Sequence, residues 1–138
     1  IAADIKSTWS DEVVQTALLS IENLIGQGWS RLVAAMRQYE KGASIRNSSI
    51  VQIEKFGSDL LWKNVFKNPI LARLSSELKG ISSMNEDDQA DIMEGAIGYI
   101  YAYAKDVRIN LDMKKCPYDQ AQLDAMSYVA FSQAKKGA

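Results

Sequence analysis

The sequence predicts an all-α protein, a compact single-domain bundle of five to six helices spanning residues 1–138, and three observations carry that expectation. Apolar residues fall at Val14, Leu18, Ile21, Ile25, Trp29, Leu32, Met36 and Tyr39, spaced by three and four, which is the period of one helix face. The stretch Ser83–Lys115 is acidic at its start, uncharged from Gly95 to Ala104, and basic at its end through Lys105, Arg108, Lys114 and Lys115. That polarity matches a helix dipole, and the apolar middle suits a helix surrounded by others. Eight glycines and two prolines in 138 residues are too few turn residues for an all-β chain of this length.

Residues 1–9 form a loose lead-in. Ser10 is a suitable N-cap for a long first helix, about 11–40, that opens with Asp11 and Glu12. Gly26 and Gly28 lie inside it, each costing about 1 kcal/mol against alanine, yet the apolar stripe passes through them in phase. One helix, kinked there, is expected rather than two. Glu40-Lys41-Gly42 supplies its stop. After a polar connection over 42–49, Ile50–Phe56 reads as a short helix capped by Asn47 or Ser48. Gly57-Ser58 then restarts a helix through Leu60, Leu61, Trp62, Val65 and Phe66.

Asn68-Pro69 is a cap followed by proline at the first helical position. The helix it opens runs through Ile70, Leu71, Leu74 and Leu78 to Lys79-Gly80. Ser83-Met84-Asn85-Glu86 has the form of a capping box and opens the central helix, about 84–113. Ile92, Ala96, Tyr99, Tyr103, Val107 and Leu111 make its main stripe, and Met93, Ile97, Ile100 and Ala104 a second apolar side. Cys116-Pro117 breaks the chain, and Tyr118–Lys135 forms a last helix with Leu123, Met126, Val129 and Ala130 on one side.

Composition excludes several kinds of chemistry. No histidine occurs, which removes the commonest general base near neutral pH, the Ser-His-Asp and Cys-His arrangements and every histidine-bearing zinc pattern. Cys116 is alone, so no intrachain disulfide or cysteine-cluster metal site can form. No glycine-rich run follows a strand, which dismisses a phosphate loop. A net charge of −1 gives no reason to expect nucleic acid as a partner. The uncharged run 95–104 is too short for a membrane span, so a soluble chain is expected. Ile1-Ala2-Ala3 at the start, without methionine, reads as processing or excision. Either the cytoplasm or export after signal-peptide removal fits.

The candidate contact surface is the acidic cluster Glu86, Asp87, Asp88, Asp91 and Glu94. On a helix, Asp87, Asp91 and Glu94 share one face. Carboxylates so placed could hold magnesium or calcium, but the EF-hand glycine and the di-iron Glu-x-x-His pattern are both missing, and helix-start electrostatics explain the acids without a ligand. No cofactor and no metal are expected. Trp9 precedes the first helix among polar residues, either as a staple or as an interface anchor, whereas Trp29 and Trp62 read as core. Tyr99, Tyr101 and Tyr103 read as core with hydroxyls at its rim. Gly95, Gly98 and Ala102 offer a strip for close helix approach. Cys116, read at a helix start where a dipole could lower its pKa, lacks a base and reads as an idle or buried thiol.

Gly98-Tyr99-Ile100, then Lys105-Asp106, Cys116-Pro117 and Asp119-Gln120 through Leu123 resemble, in short segments, the small exported helical immunity proteins that neutralise secreted bacterial amidase toxins. The resemblance covers only the last third of the chain. Those proteins typically carry paired cysteines, where this sequence has one.

The function expected from these residues is binding to another protein, one with a basic surface, by a non-enzymatic inhibitor, immunity protein or adaptor. Two alternatives stand beside it. One is a metal-binding or enzymatic bundle that uses carboxylates alone. The other is a self-assembling structural subunit, a homodimer among its forms.

Overall fold

The computed structural model describes residues 11–63 and 67–137. Trp9, the Ser10 cap, Val65 and Phe66 lie outside the described residues, as does the side chain of Val14. The described chain is all-helical: α1 (Asp11–Glu40), α2 (Asn47–Lys63), α3 (Pro69–Leu78), a single 3-10 turn (Ile81–Ser83), α4 (Glu86–Val107) and α5 (Gln120–Gly137).

The long first helix is continuous through both glycines. Ile21, Ile25, Trp29, Leu32 and Met36 of its stripe are buried, while Leu18 and Tyr39 at the two ends stay exposed. Gly28 is a contact point rather than a break. A Cβ there would stand 2.2 Å from Cζ of Phe56, so the Phe56 ring of α2 rests directly on the α1 backbone.

The expected restart at Gly57 does not occur, because α2 runs unbroken from Asn47. Gly57 is buried in its middle, where a Cβ would lie 2.7 Å from Cβ of Leu78. The Ser75 hydroxyl donates to the Gly57 carbonyl at 2.8 Å, fastening α3 to α2 at the same point. The core face of α2 is Ile50, Ile53, Phe56, Gly57 and Leu60. Trp62 stands two residues on from Leu60, about 200° round the helix, and is 85% exposed. Its assignment to the core is therefore corrected, and Leu61, about 100° round from Leu60, is exposed as well.

α3 follows the sequence expectation closely. The Asn68 side chain accepts from the N–H groups of Ile70 and Leu71 at 2.9 and 3.3 Å, Pro69 takes the first position, and Ile70, Leu71, Leu74 and Leu78 are all buried. Gly80 then adopts the left-handed conformation at φ 75°, which glycine reaches without a Cβ penalty, and turns the chain into Ile81–Ser83.

At the start of α4 the cap differs from the expected box. Asn85 is the N-cap, its side chain accepting from the Asp88 N–H at 2.9 Å. The Ser83 hydroxyl instead donates back to the Gly80 carbonyl at 2.8 Å, because Ser83 belongs to the preceding turn. The helix also ends earlier than 113. Arg108 turns left-handed (φ 59°, ψ 44°) and its N–H closes on the Ala104 carbonyl. The chain then loops back so that the Asp112 carbonyl accepts from Nε1 of Trp29 at 2.8 Å, and Ile109 and Leu111 reach the core from the loop. Val107 is left exposed.

Every residue from Ala96 to Ala104 is buried, which follows from packing of α4 against α1, α3 and α5 together. The last helix begins with a capping box of its own. The Asp119 carboxylate accepts from the Gln122 N–H at 2.8 Å, and the Gln122 side chain accepts from the Asp119 N–H at 2.9 Å. Its inward face is Leu123, Ser127, Ala130 and Ala134. Val129, expected on that face, is 56% exposed, since it lies about 200° from Ser127.

Candidate functional site

α3, α4 and α5 leave a groove of about 550 Å³ between them. Arg73 and Glu77 line it from α3, Asp91, Ile92, Glu94, Gly95 and Tyr99 from α4, and Met126, Val129, Ala130 and Gln133 from α5. The wall is mostly apolar and the rim is charged. Nε of Arg73 meets Oε1 of Glu77 at 3.0 Å across one turn. The Arg73 guanidinium also faces the Tyr99 hydroxyl, and that contact, followed by Glu77, holds its proton more tightly than usual. Burial pushes the Tyr99 phenol above its ordinary range; Arg73 works against that rise and Glu77 adds to it. Tyr99 is thus a neutral hydrogen-bonding group on the groove wall.

Two of the five acids read from the sequence come to this groove. Asp91 and Glu94 are exposed on its rim, and neither is in an ion pair among the described residues. Glu86, Asp87 and Asp88 are exposed on the first turn of α4 and do not line it. Their position at the positive end of the helix dipole accounts for them. The negative charge of Glu94 also reaches the half-buried Tyr118, whose phenol is pushed up to about 12 by burial first, with Glu94, Glu40 and Cys116 contributing.

Two glycines one turn apart on α4 behave differently. A Cβ on Gly98 would stand 2.9 Å from the Met126 carbonyl oxygen, so this glycine admits the α5 main chain. A Cβ on Gly95 would meet nothing within 4 Å, because Gly95 opens onto the groove. The small-residue strip therefore serves packing at one end and leaves empty space at the other.

The tyrosines divide in the same way. Tyr99 lines the groove, while Tyr101 lies against the Trp29 ring at 6.4 Å between centroids, accepts from the Gln120 side chain and carries Nζ of Lys105 at 5.6 Å from its ring centre. Tyr103 is buried. The three do not line one pocket. Cys116 is half-buried and lies before α5 rather than at its first turn. Burial pushes its thiol up, with Glu40 adding to the rise and a backbone hydrogen bond at Tyr118 partly offsetting it, so the lowering considered from sequence is not what this site does.

Sequence reasoning missed Arg73, Glu77, Met126, Val129, Ala130 and Gln133 as groove residues. The Arg73–Glu77 spacing of four was the one local signal available for them. Among the described residues, no group of three or more cysteine, aspartate and glutamate side chains is placed to hold a metal ion, and no helix is long and apolar enough to cross a membrane. Comparison with protein-family models, with curated proteins and with solved structures finds no match for the chain.

Proposed function

We propose that this chain works by binding another protein, as an inhibitor, immunity protein or adaptor rather than as an enzyme, and that the acidic side of α4 is its contact surface. The observation that carries the reading is the position of Asp91 and Glu94. Both are exposed and outside any ion pair among the described residues, and both stand at the edge of an apolar groove. Charges at the rim of an apolar patch steer a partner of opposite sign and fix its orientation. A partner with a basic surface is the complement.

The experiment is affinity capture from the native lysate with the wild-type chain and with a variant carrying Asp87→Lys, Asp91→Lys and Glu94→Lys. The variant is expected to retain its helical circular dichroism and to lose captured partner by about tenfold or more, and added salt is expected to weaken wild-type capture. Capture by the variant at the wild-type level overturns the reading.

A further inference from the structure

We infer that the groove between α3, α4 and α5 receives a short amphipathic helix of the partner protein, carrying two apolar side chains one turn apart and a lysine or arginine beside them. This rests on the protein-binding reading above and specifies what enters the site. Charge complementarity supplies the basic residue, since Glu77, Asp91 and Glu94 face the groove against the single guanidinium of Arg73. The apolar pair follows from the wall, where the exposed Val129 and half-buried Met126 of α5 stand opposite the open face of α4 at Gly95.

The size of the groove sets the length of the insert. From Asp91 to Tyr99 the α4 wall spans nine residues, and the eight rises between them cover about 12 Å at 1.5 Å each. Two helical turns fit along it, which seats anchors at i and i+4, about 6 Å apart. An extended segment is disfavoured because the described chain has no strand to pair with its main-chain N–H and C=O groups, whereas a helix satisfies its own.

The test uses methyl resonances of Ile92, Met126, Val129 and Ala130, titrated with a panel of 12-residue helical peptides. Each peptide carries a Leu/Leu, Phe/Leu or Trp/Leu pair at i and i+4, in matched versions flanked by lysine or by glutamate. At least one lysine-flanked peptide is expected to shift these methyls saturably, and its glutamate-flanked twin to bind at least about fivefold more weakly. Gly95→Phe, which fills the groove from a position with open space in front of it, is expected to abolish the shifts, and Gly95→Ala to leave them largely intact.

No shift with any peptide, equal binding by both charge versions, or shifts confined to other methyls would overturn the inference. Concentration-dependent shifts of the same methyls without peptide would make the occupant a second copy of this chain, and would overturn it too. Native-lysate capture separates the two readings. If reversal of Asp87, Asp91 and Glu94 weakens capture while Gly95→Phe leaves it unchanged, the charged surface stands and the groove insertion falls. If neither change has an effect, both fall.

Discussion

Met126 and Gly98 meet main chain to main chain: a Cβ on Gly98 would lie 2.9 Å from the Met126 carbonyl oxygen. Backbone cannot swing aside as a side-chain tip can, so Gly98→Ala must push α5 off α4. The strain is expected to cost about 3 kcal/mol, with the better helix propensity of alanine returning about 1. A net loss of about 2 kcal/mol should appear in urea denaturation. Gly95→Ala, one turn earlier and facing open space, should instead stabilise by about 0.5–1 kcal/mol. A ranking in which Gly98→Ala is the more stable of the two would contradict this packing.

Glu54 on α2 holds the turn before α4. Its carboxylate accepts from the Ser82 hydroxyl at 2.7 Å and from the Ser82 N–H at 3.0 Å. The hydroxyl hydrogen bond, then the backbone one, lowers the Glu54 pKa. A lowered folded-state pKa means the unfolded chain binds more protons in acid, so this contribution is complete above the ordinary glutamate value and is lost as pH falls through the folded one. Ser82→Ala is expected to cost about 1 kcal/mol at neutral pH, at the weak end for a bond to a charged group because solvent reaches it. Urea melts at descending pH should show the two proteins converging in acid. A gap that stays constant with pH would remove Glu54 from the account.

Trp29 and Trp62 are expected to respond oppositely to substitution. Trp29 is buried and its indole N–H bonds to the Asp112 carbonyl, 83 positions along the chain. Trp29→Phe loses that bond and leaves space in the core, for about 2–3 kcal/mol. Trp62→Gln, at an 85% exposed site, should stay within about 0.5 kcal/mol of wild type. Thermal unfolding of both variants checks the contrast, and a large loss from Trp62→Gln would mean that its ring is covered.

Much of the helix content was legible because it depends on period and on local caps. The 11–40 stripe and the Asn68-Pro69 start are properties of neighbouring residues, and both helices form as written. Errors arose where local signals compete. Ser83 and Asn85 could each cap α4, and the tight turn at Gly80 engages Ser83 and leaves the role to Asn85. The reciprocal pair Asp119 and Gln122 carries a capping signature that the neighbouring Cys116-Pro117 break masks. The end of α4 is obscured because Val107 and Leu111 continue the apolar stripe, while Leu111, with Ile109, packs from a loop held by Trp29.

The acidic side of α4 was visible in the sequence, but the groove beside it was not. Its other walls depend on how α3 and α5 cross α4, which no local pattern encodes. Nothing in the sequence distinguishes Gly95 from Gly98. Only the placement of Met126 shows that one is occupied by a neighbouring backbone and the other is not.

Central packing of α4 also sets an order of events during synthesis. α1, α2 and α3 are complete by Leu78, yet the helix that α1 and α3 pack against ends at Val107. At about 5–20 residues per second, the roughly 30 residues between take about 2–6 seconds to add. Through that interval only the α1–α2 and α2–α3 packing can form, and the faces of α1 and α3 that α4 covers in the fold stay uncovered. Uncovered apolar surface of this kind is prone to aggregation, and slowing translation between residues 78 and 107 should lengthen its exposure.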